Sequence, residues 1–305
     1  MKIYFQKLLT FASKASIIEL RRNKKVERNV LNEIEAGYAQ FTKKQKKLAD
    51  FMRENIHSIP FLSIVELGEK TEVSPASITR FTRELGYNGY AEFQKSVSDL
   101  VRRDVVPMRE LKSSITSDGE EDILEGMIER NVDSLRKLYG EGLKESLYEA
   151  SELVGTGRRV YITAARSSFC VAYYLYFMLK EFMDCVELLS EGLGDISNKL
   201  QFITPEDVLI AVSYERYTRA TYNIVSYLNE AGSKIIAITD SYSSPIALKA
   251  DCVLLARQAP DTYSFVNAMT VANALIAAVG RRDRERSLER MKRQDEIAIE
   301  YGLYL

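Results

Sequence analysis

Apolar residues recur along this chain in two rhythms, and the change from one to the other divides it. Through the first hundred residues the period is that of an α-helix. Leu48, Phe51, Met52 and Ile56 share one side of a helical stretch; Ile78, Phe81 and Leu85 share a side of another, and Phe93, Val97 and Leu100 of a third. Residues 121–151 keep the helical period, with Ile123, Met127, Val132, Leu135 and Leu138 on one side. Beyond them short β-branched runs alternate with helical stretches, and 159–163, 185–189, 207–212, 234–239 and 252–255 predict five strands. Strands apolar on both faces and separated by helices predict a parallel sheet with helices on both sides. Two long helices are expected at 262–279 and 284–301. The fold expected is an α-helical bundle followed by an α/β domain.

The helical half carries unusually explicit punctuation. Thr42 with Gln45, and Ser63 with Glu66, are capping boxes, in which two side chains satisfy otherwise orphan N–H groups at a helix start. Residues 71–73 break the helix that Ser63 opens, and Ser74-Pro75 starts another, with an oxygen-bearing N-cap and a proline whose missing N–H costs nothing there. Gly86 ends it. The result is a helix, a tight turn and a second helix whose outer side carries Ala76, Thr79, Arg80 and Arg83, with Ser74 and Ser77 at its start. Small and hydroxylated residues there let a helix enter a major groove, and arginines one turn apart can fork onto guanine or grip phosphate. An ordinary helical hairpin with a solvated basic face would show the same pattern. Lys43, Lys44, Lys46 and Lys47 crowd the start of the preceding helix; they are read as backbone-contacting positions beside the recognition helix rather than a merely solvated surface.

Charge separates the halves further. The net charge of −1 conceals 21 Lys/Arg against 14 Asp/Glu over residues 1–112, and 21 against 29 over the remainder. Only the first half is thus suited to a polyanion. Residues 1–28 read as a basic N-terminal extension, 29–104 as the helix-turn-helix domain, 105–120, with Pro107 and a Ser/Thr run, as a linker, and 121–305 as the α/β domain. No apolar run is long enough to span a bilayer, so no membrane partner is expected. Cys170, Cys185 and Cys252 lack metal-site spacing and read as buried thiols of a cytoplasmic protein, with no metal and no cofactor.

In a parallel sheet ligands bind outside the carboxyl ends of the strands. The segment after the first strand reads Ala164-Ala165-Arg166-Ser167-Ser168, and the one after the third runs from Ser213 through Glu215, Arg216 and Thr218 to Thr221. Hydroxyls, backbone N–H groups, a helix N-terminus and arginine forks are the parts that hold a phosphate or another anion. The plainer alternative is that Ser213 and Thr221 only cap and turn the chain. Thr262, Tyr263 and Ser264 are candidates either for lining the same site or for capping a helix.

With EKTEVSPASITRFTRELGYNGYAEF in the first half and the paired loops in the second, the chain resembles the RpiR-type transcriptional regulators, which join a helix-turn-helix domain to a sugar isomerase (SIS) domain. The resemblance runs from about Asn29 to the C-terminus. It implies double-stranded operator DNA as one partner, a carbohydrate effector, phosphorylated or not, as another, and a homodimer or homotetramer. It implies an effector site at Arg166, Ser167, Ser168, Ser213, Glu215, Arg216, Thr218 and Thr221, and DNA contacts from Lys43, Lys44, Lys47, Ser74, Ala76, Ser77, Thr79, Arg80 and Arg83. The second SIS loop usually reads S-x-S-G-x-T-x-x-T. Ser213, Thr218 and Thr221 match, whereas Glu215 replaces the second serine and Arg216 the glycine; Ala164 and Ala165 replace glycines of the first loop.

Two other functions compete with a regulator. A sugar-phosphate isomerase needs a base beside carbon-bound protons. The single histidine, His57, lies in the first half, leaving only carboxylates such as Glu181, Glu187 or Glu191, none in a catalytic setting. A metabolite-gated scaffold would use the charge split to meet an acidic protein. No enzymatic activity is expected.

Overall fold

The computed structural model describes residues 30–104, 115, 122–139, 142–190, 196–259 and 262–303. They form two compact units that divide between Asp104 and Val105. The expected basic extension over 1–28 and, Ile115 apart, the expected linker over 105–120 lie outside the described residues.

Five α-helices are described in the first unit: α1 (Val30–Gly37), α2 (Lys43–Glu54), α3 (Ile64–Thr71), α4 (Pro75–Glu84) and α5 (Tyr90–Asp104). Both capping boxes form, with Thr42 N–H donating to Gln45 Oε1 and Ser63 N–H to Glu66 Oε2, each at 2.8 Å. Helix α3 stops at Glu72, whose φ of 55° is left-handed, and α4 is capped by Ser74 and closed by Gly86 at φ 88°. Ile34, Leu48, Met52, Leu67, Ile78, Phe81, Phe93 and Val97 are fully buried or nearly so. Each contributes about 1.5–3 kcal/mol relative to exposure. Phe41 and Phe81 meet edge to face at 5.0 Å. Leu85, Phe51, Ile56 and Leu100 are only half-buried.

The second unit begins with α6 (Ile123–Leu138) and α7 (Leu143–Thr156), then alternates β1 (Val160–Ala164), α8 (Phe169–Lys180), β2 (Val186–Leu189), α9 (Ile196–Leu200), β3 (Val208–Ser213), α10 (Arg219–Glu230), β4 (Lys234–Thr239) and β5 (Cys252–Leu255). It ends with α11 (Val266–Arg282) and α12 (Arg284–Glu300). The five strands are all parallel in the order β2-β1-β3-β4-β5. Alternate residues feed two cores: Val160, Ile162, Ile210 and Ile238 pack with Leu175 of α8 and Leu275 of α11, while Tyr161, Leu209 and Ala237 pack with Val225 and Leu228 of α10. Helices therefore cover both faces.

Four expectations need correction. The helical stretch 121–151 is two helices, because Gly142 takes a left-handed φ of 71° between them. On α6 the predicted inward residues Ile123 and Val132 are exposed, as are Leu124 and Ile128. Met127, Leu135 and Leu138 are half-buried, with Leu138 on the core, and hydrogen bonds add to this side: Ser264 Oγ donates to Asn131 Oδ1 at 2.7 Å, and Asn267 Nδ2 donates to Ser134 Oγ at 2.7 Å. The helix expected from Thr262 starts at Val266. Of the three cysteines only Cys252 is buried; Cys170 is exposed and Cys185 half-buried.

Candidate nucleic-acid interface and effector cavity

On α4 the residues opposite Ile78 and Phe81 reach the surface. Ser74, Ala76, Arg80 and Arg83 are exposed, and Ser77 and Thr79 half-buried. Several are already tethered. Thr79 Oγ1 donates to Pro75 O at 2.9 Å, Arg80 Nη2 donates to Ser77 Oγ at 3.3 Å, and Arg83 Nε donates to Asn88 O at 3.1 Å. Ser77 Oγ lies 3.0 Å from Ser74 Oγ. The hydroxyl of Thr79 is thus spent on its own helix, while Arg80 stays exposed with one nitrogen on Ser77.

Helix α2 brings its lysines beside this surface: Lys44 and Gln45 share a shallow cavity with Ser77, Arg80 and Glu84, and Gln45 hydrogen-bonds Glu84. Lys43 and Lys44 are exposed with no ion-pair partner among the described residues. Lys47 pairs with Glu72, and the ammonium holds that carboxyl below its usual range. Lys46 stands 5.4 Å from the centre of the Tyr38 ring.

In the second unit the strand order sets the site. After β1 the chain crosses to β2 on one side, and after β3 it crosses to β4 on the other, so the connections part above neighbouring strand ends. Ala164 pairs with Val212 in register, and a crevice opens at this switch point. A cavity of about 150 Å³ lies there, lined by Ala165, Arg166, Ser167, Ser168, Ser213, Tyr214, Glu215, Arg216, Thr218 and Tyr263. Seven of the eight residues expected at the site are gathered. Thr221 is the exception: it is buried behind the loop, its N–H capped by Thr218 Oγ1 at 3.4 Å and its hydroxyl 2.9 Å from the same oxygen. Thr218, not Thr221, is the N-cap of α10, and Thr221 is the residue whose N–H it satisfies.

Tyr263 completes the wall, its hydroxyl 2.5 Å from Ser167 Oγ and its ring edge-on to Phe265. Ser264 instead accepts from Val266 N–H at 3.2 Å, and Thr262 is buried with its hydroxyl on Ala259 O at 2.8 Å. Asp240, at the end of β4, carries no signal in the sequence yet fixes the loop. It accepts from Glu215 N–H at 2.8 Å and from Tyr217 Oη at 2.9 Å. Burial and the adjacent Asp240 carboxylate hold the Tyr217 hydroxyl protonated well above the usual phenol range. Tyr214 lies under the same loop, its hydroxyl donating to Ala256 O at 2.8 Å.

Arg166 and Arg216 have φ of 56° and 74°, the left-handed region. Such backbone costs on the order of 1–3 kcal/mol per non-glycine residue and concentrates at ligand sites. At Arg216 it also explains the glycine of the resembled loop: the position requires this conformation, and arginine adopts it here. Arg166, Glu215 and Arg216 carry no side-chain hydrogen-bond or ion-pair partner among the described residues. A larger cavity of about 320 Å³ lies at the opposite strand ends, beside Asp184, Arg282, Arg286 and Arg290. Its charges are mostly spent internally, Arg282 on Glu152 and Arg290 on Asp184. The smaller cavity is the one that keeps its charges free.

A helix-turn-helix unit with a basic outer face, followed by a five-stranded α/β unit with a cavity at its switch point, defines the class: a two-domain DNA-binding regulator. Residues 28–102 match the helix-turn-helix domain of the rpiR family, and residues 155–278 match the SIS domain. The chain belongs to the rpiR family of transcriptional regulators that carry a SIS domain. It is 25% identical over 229 residues to an uncharacterised HTH-type transcriptional regulator of Haemophilus influenzae, covering 74% of this chain and 79% of that one. Another such regulator, from Thermotoga maritima, is 25% identical over 249 residues, covering 79% and 86%. Among solved structures, the sugar isomerase domain of an RpiR transcription factor from Sphaerobacter thermophilus superimposes with a TM-score of 0.54 at 27% identity, covering 58% of this chain and 99% of that one. The fold is also that of Vibrio vulnificus NanR complexed with ManNAc-6P, with a TM-score of 0.57 at 20% identity, covering 90% and 99%. Among the described residues no helix is long and apolar enough to cross a membrane.

Proposed function

We propose that this regulator binds operator DNA through α4 and the start of α2, and that its SIS domain senses a phosphosugar or related carbohydrate metabolite in the cavity between β1 and β3. The observation that carries this reading is the gathering of Arg166, Arg216, Ser167, Ser168, Ser213 and Thr218 around one small cavity. Guanidinium forks and hydroxyls are what an anionic, hydroxyl-rich ligand requires. A phosphosugar bound by a protein of the same fold supports the class of effector.

We read the domain as a sensor rather than an isomerase, because the relatives it matches are named as transcriptional regulators and, of the carboxylates weighed as bases, none among the described residues is brought to the cavity. Glu181 and Glu187 are not among the cavity residues, and Glu187 is held by Arg159 at 2.8 Å; Glu191 lies outside the described residues. The working form is a homodimer or homotetramer in the cytoplasm, consistent with the exposed apolar side of α6 at Ile123, Leu124, Ile128 and Val132. Effector binding changes the fit of paired helix-turn-helix units to their half-sites. The test is fluorescence anisotropy of the full chain on DNA from its own upstream region, at fixed salt, against phosphorylated sugars, acidic sugars and polyols. One compound should shift a tight, sequence-selective complex; weak, unselective binding erased by salt would refute the reading.

A further inference from the structure

Glu215 is the anomaly of the cavity. An ionised carboxylate only accepts hydrogen bonds. It stands where the resembled loop has a phosphate-compatible serine, lines the cavity, and is exposed without a side-chain partner among the described residues. Neither Arg166 nor Arg216, both in the same wall, forms an ion pair with it. Its backbone N–H, which a loop of this kind could offer to an anion, is already taken by Asp240. The anion is therefore left to the two arginines and the hydroxyls, while Glu215 presents a full negative charge to another part of the ligand.

A ligand that is anionic throughout would meet repulsion at Glu215, and one without charge would leave two guanidinium groups unmatched. Complementarity needs both signs on one small molecule. From this juxtaposition we infer that the effector is a zwitterionic phosphosugar, a phosphorylated amino sugar with a free ammonium group, its phosphate on Arg166 and Arg216 and its ammonium on Glu215. Glu215 is then the specificity-determining residue. The inference rests on the carbohydrate-sensing reading above and narrows it.

Isothermal titration calorimetry of the full chain separates the two. Glucosamine 6-phosphate, N-acetylglucosamine 6-phosphate and glucose 6-phosphate differ at the second carbon, offering an ammonium, a neutral amide and a hydroxyl. The free amine should bind about tenfold or more tighter than the other two, the scale of one charge-assisted hydrogen bond. Glu215→Gln should reduce that preference to about threefold or less, and its thermal midpoint, compared with the unsubstituted chain, checks that it folds. Equal affinities for the three compounds, or a preference that survives Glu215→Gln, would overturn the inference while leaving phosphosugar sensing intact. Binding of none of them by protein that still holds its operator would overturn both.

Discussion

Arg80 and Lys47 are both basic residues of the helix-turn-helix unit, yet their surroundings divide the work between them. Arg80 is exposed and bonded through one nitrogen to Ser77, which leaves its other donors for DNA. Arg80→Ala should weaken operator binding by about 1–3 kcal/mol and relax preference at one base position. Lys47 would first have to leave Glu72, so Lys47→Ala should cost less than Lys44→Ala; anisotropy titrations across several salt concentrations measure both. The last should lower the salt slope by roughly one charge. In the second unit Cys252 is a buried thiol donating to Ser146 O at 3.3 Å, and burial pushes its pKa up to about 12. The raised value fixes the sign of its linkage to folding. Below the unfolded value near 8.5 both states are protonated and its contribution is complete; above it the unfolded chain loses the proton first, so stability falls as pH rises toward 12. The slope is on the order of 1.4 kcal/mol per pH unit for such a group. Thermal midpoints from pH 8 to 11 should fall more steeply for the native chain than for Cys252→Ala.

At the scale of elements, the tight turn between α3 and α4 depends on a residue with no side chain. A Cβ on Gly68 would lie 2.8 Å from the carbonyl oxygen of Val73, a backbone atom that cannot swing aside. Alanine is intrinsically better than glycine in a helix by about 1 kcal/mol, yet Gly68→Ala should destabilise the unit, by about 1–3 kcal/mol as overpacking does. Chemical denaturation measures the loss, and the operator affinity should fall with it because α4 is displaced. Caps made these helices legible before any coordinates: Thr42, Ser63, Ser74 and Gly86 each mark a boundary found where it was expected. The strands were legible to within a residue because β-branched runs buried on both faces have few alternatives. Helix α6 was read only in part, for a physical reason. Ile123 and Val132 of its apolar stripe are exposed while Met127, Leu135 and Leu138 are half-buried, and Asn131 and Ser134 add a polar attachment that hydrophobic periodicity does not register. The two loops of the cavity were recognisable from their hydroxyls and arginines, whereas Asp240, which holds one of them, follows a strand twenty-five residues further on and gives no local sign.

For the whole molecule, the charge split and the division into two units assign different observables to different halves. Counterion release depends on the lysines and arginines that touch phosphate, so the salt dependence of operator binding belongs to the basic half. On the function proposed above, the effector response belongs to the cavity beside Ser213, at the end of β3. Substitutions in separate units without shared partners add within about 0.3–0.5 kcal/mol. Ser213→Ala should therefore keep the native operator affinity and salt slope while losing the response to effector. The double variant Arg80→Ala/Ser213→Ala should bind operator as weakly as Arg80→Ala alone and stay insensitive to effector. Anisotropy titrations of the four proteins at three salt concentrations test both statements at once. A changed salt slope in Ser213→Ala would mean that the state of the cavity alters phosphate contacts even before a ligand arrives, and that the unliganded regulator already samples the conformation its effector selects.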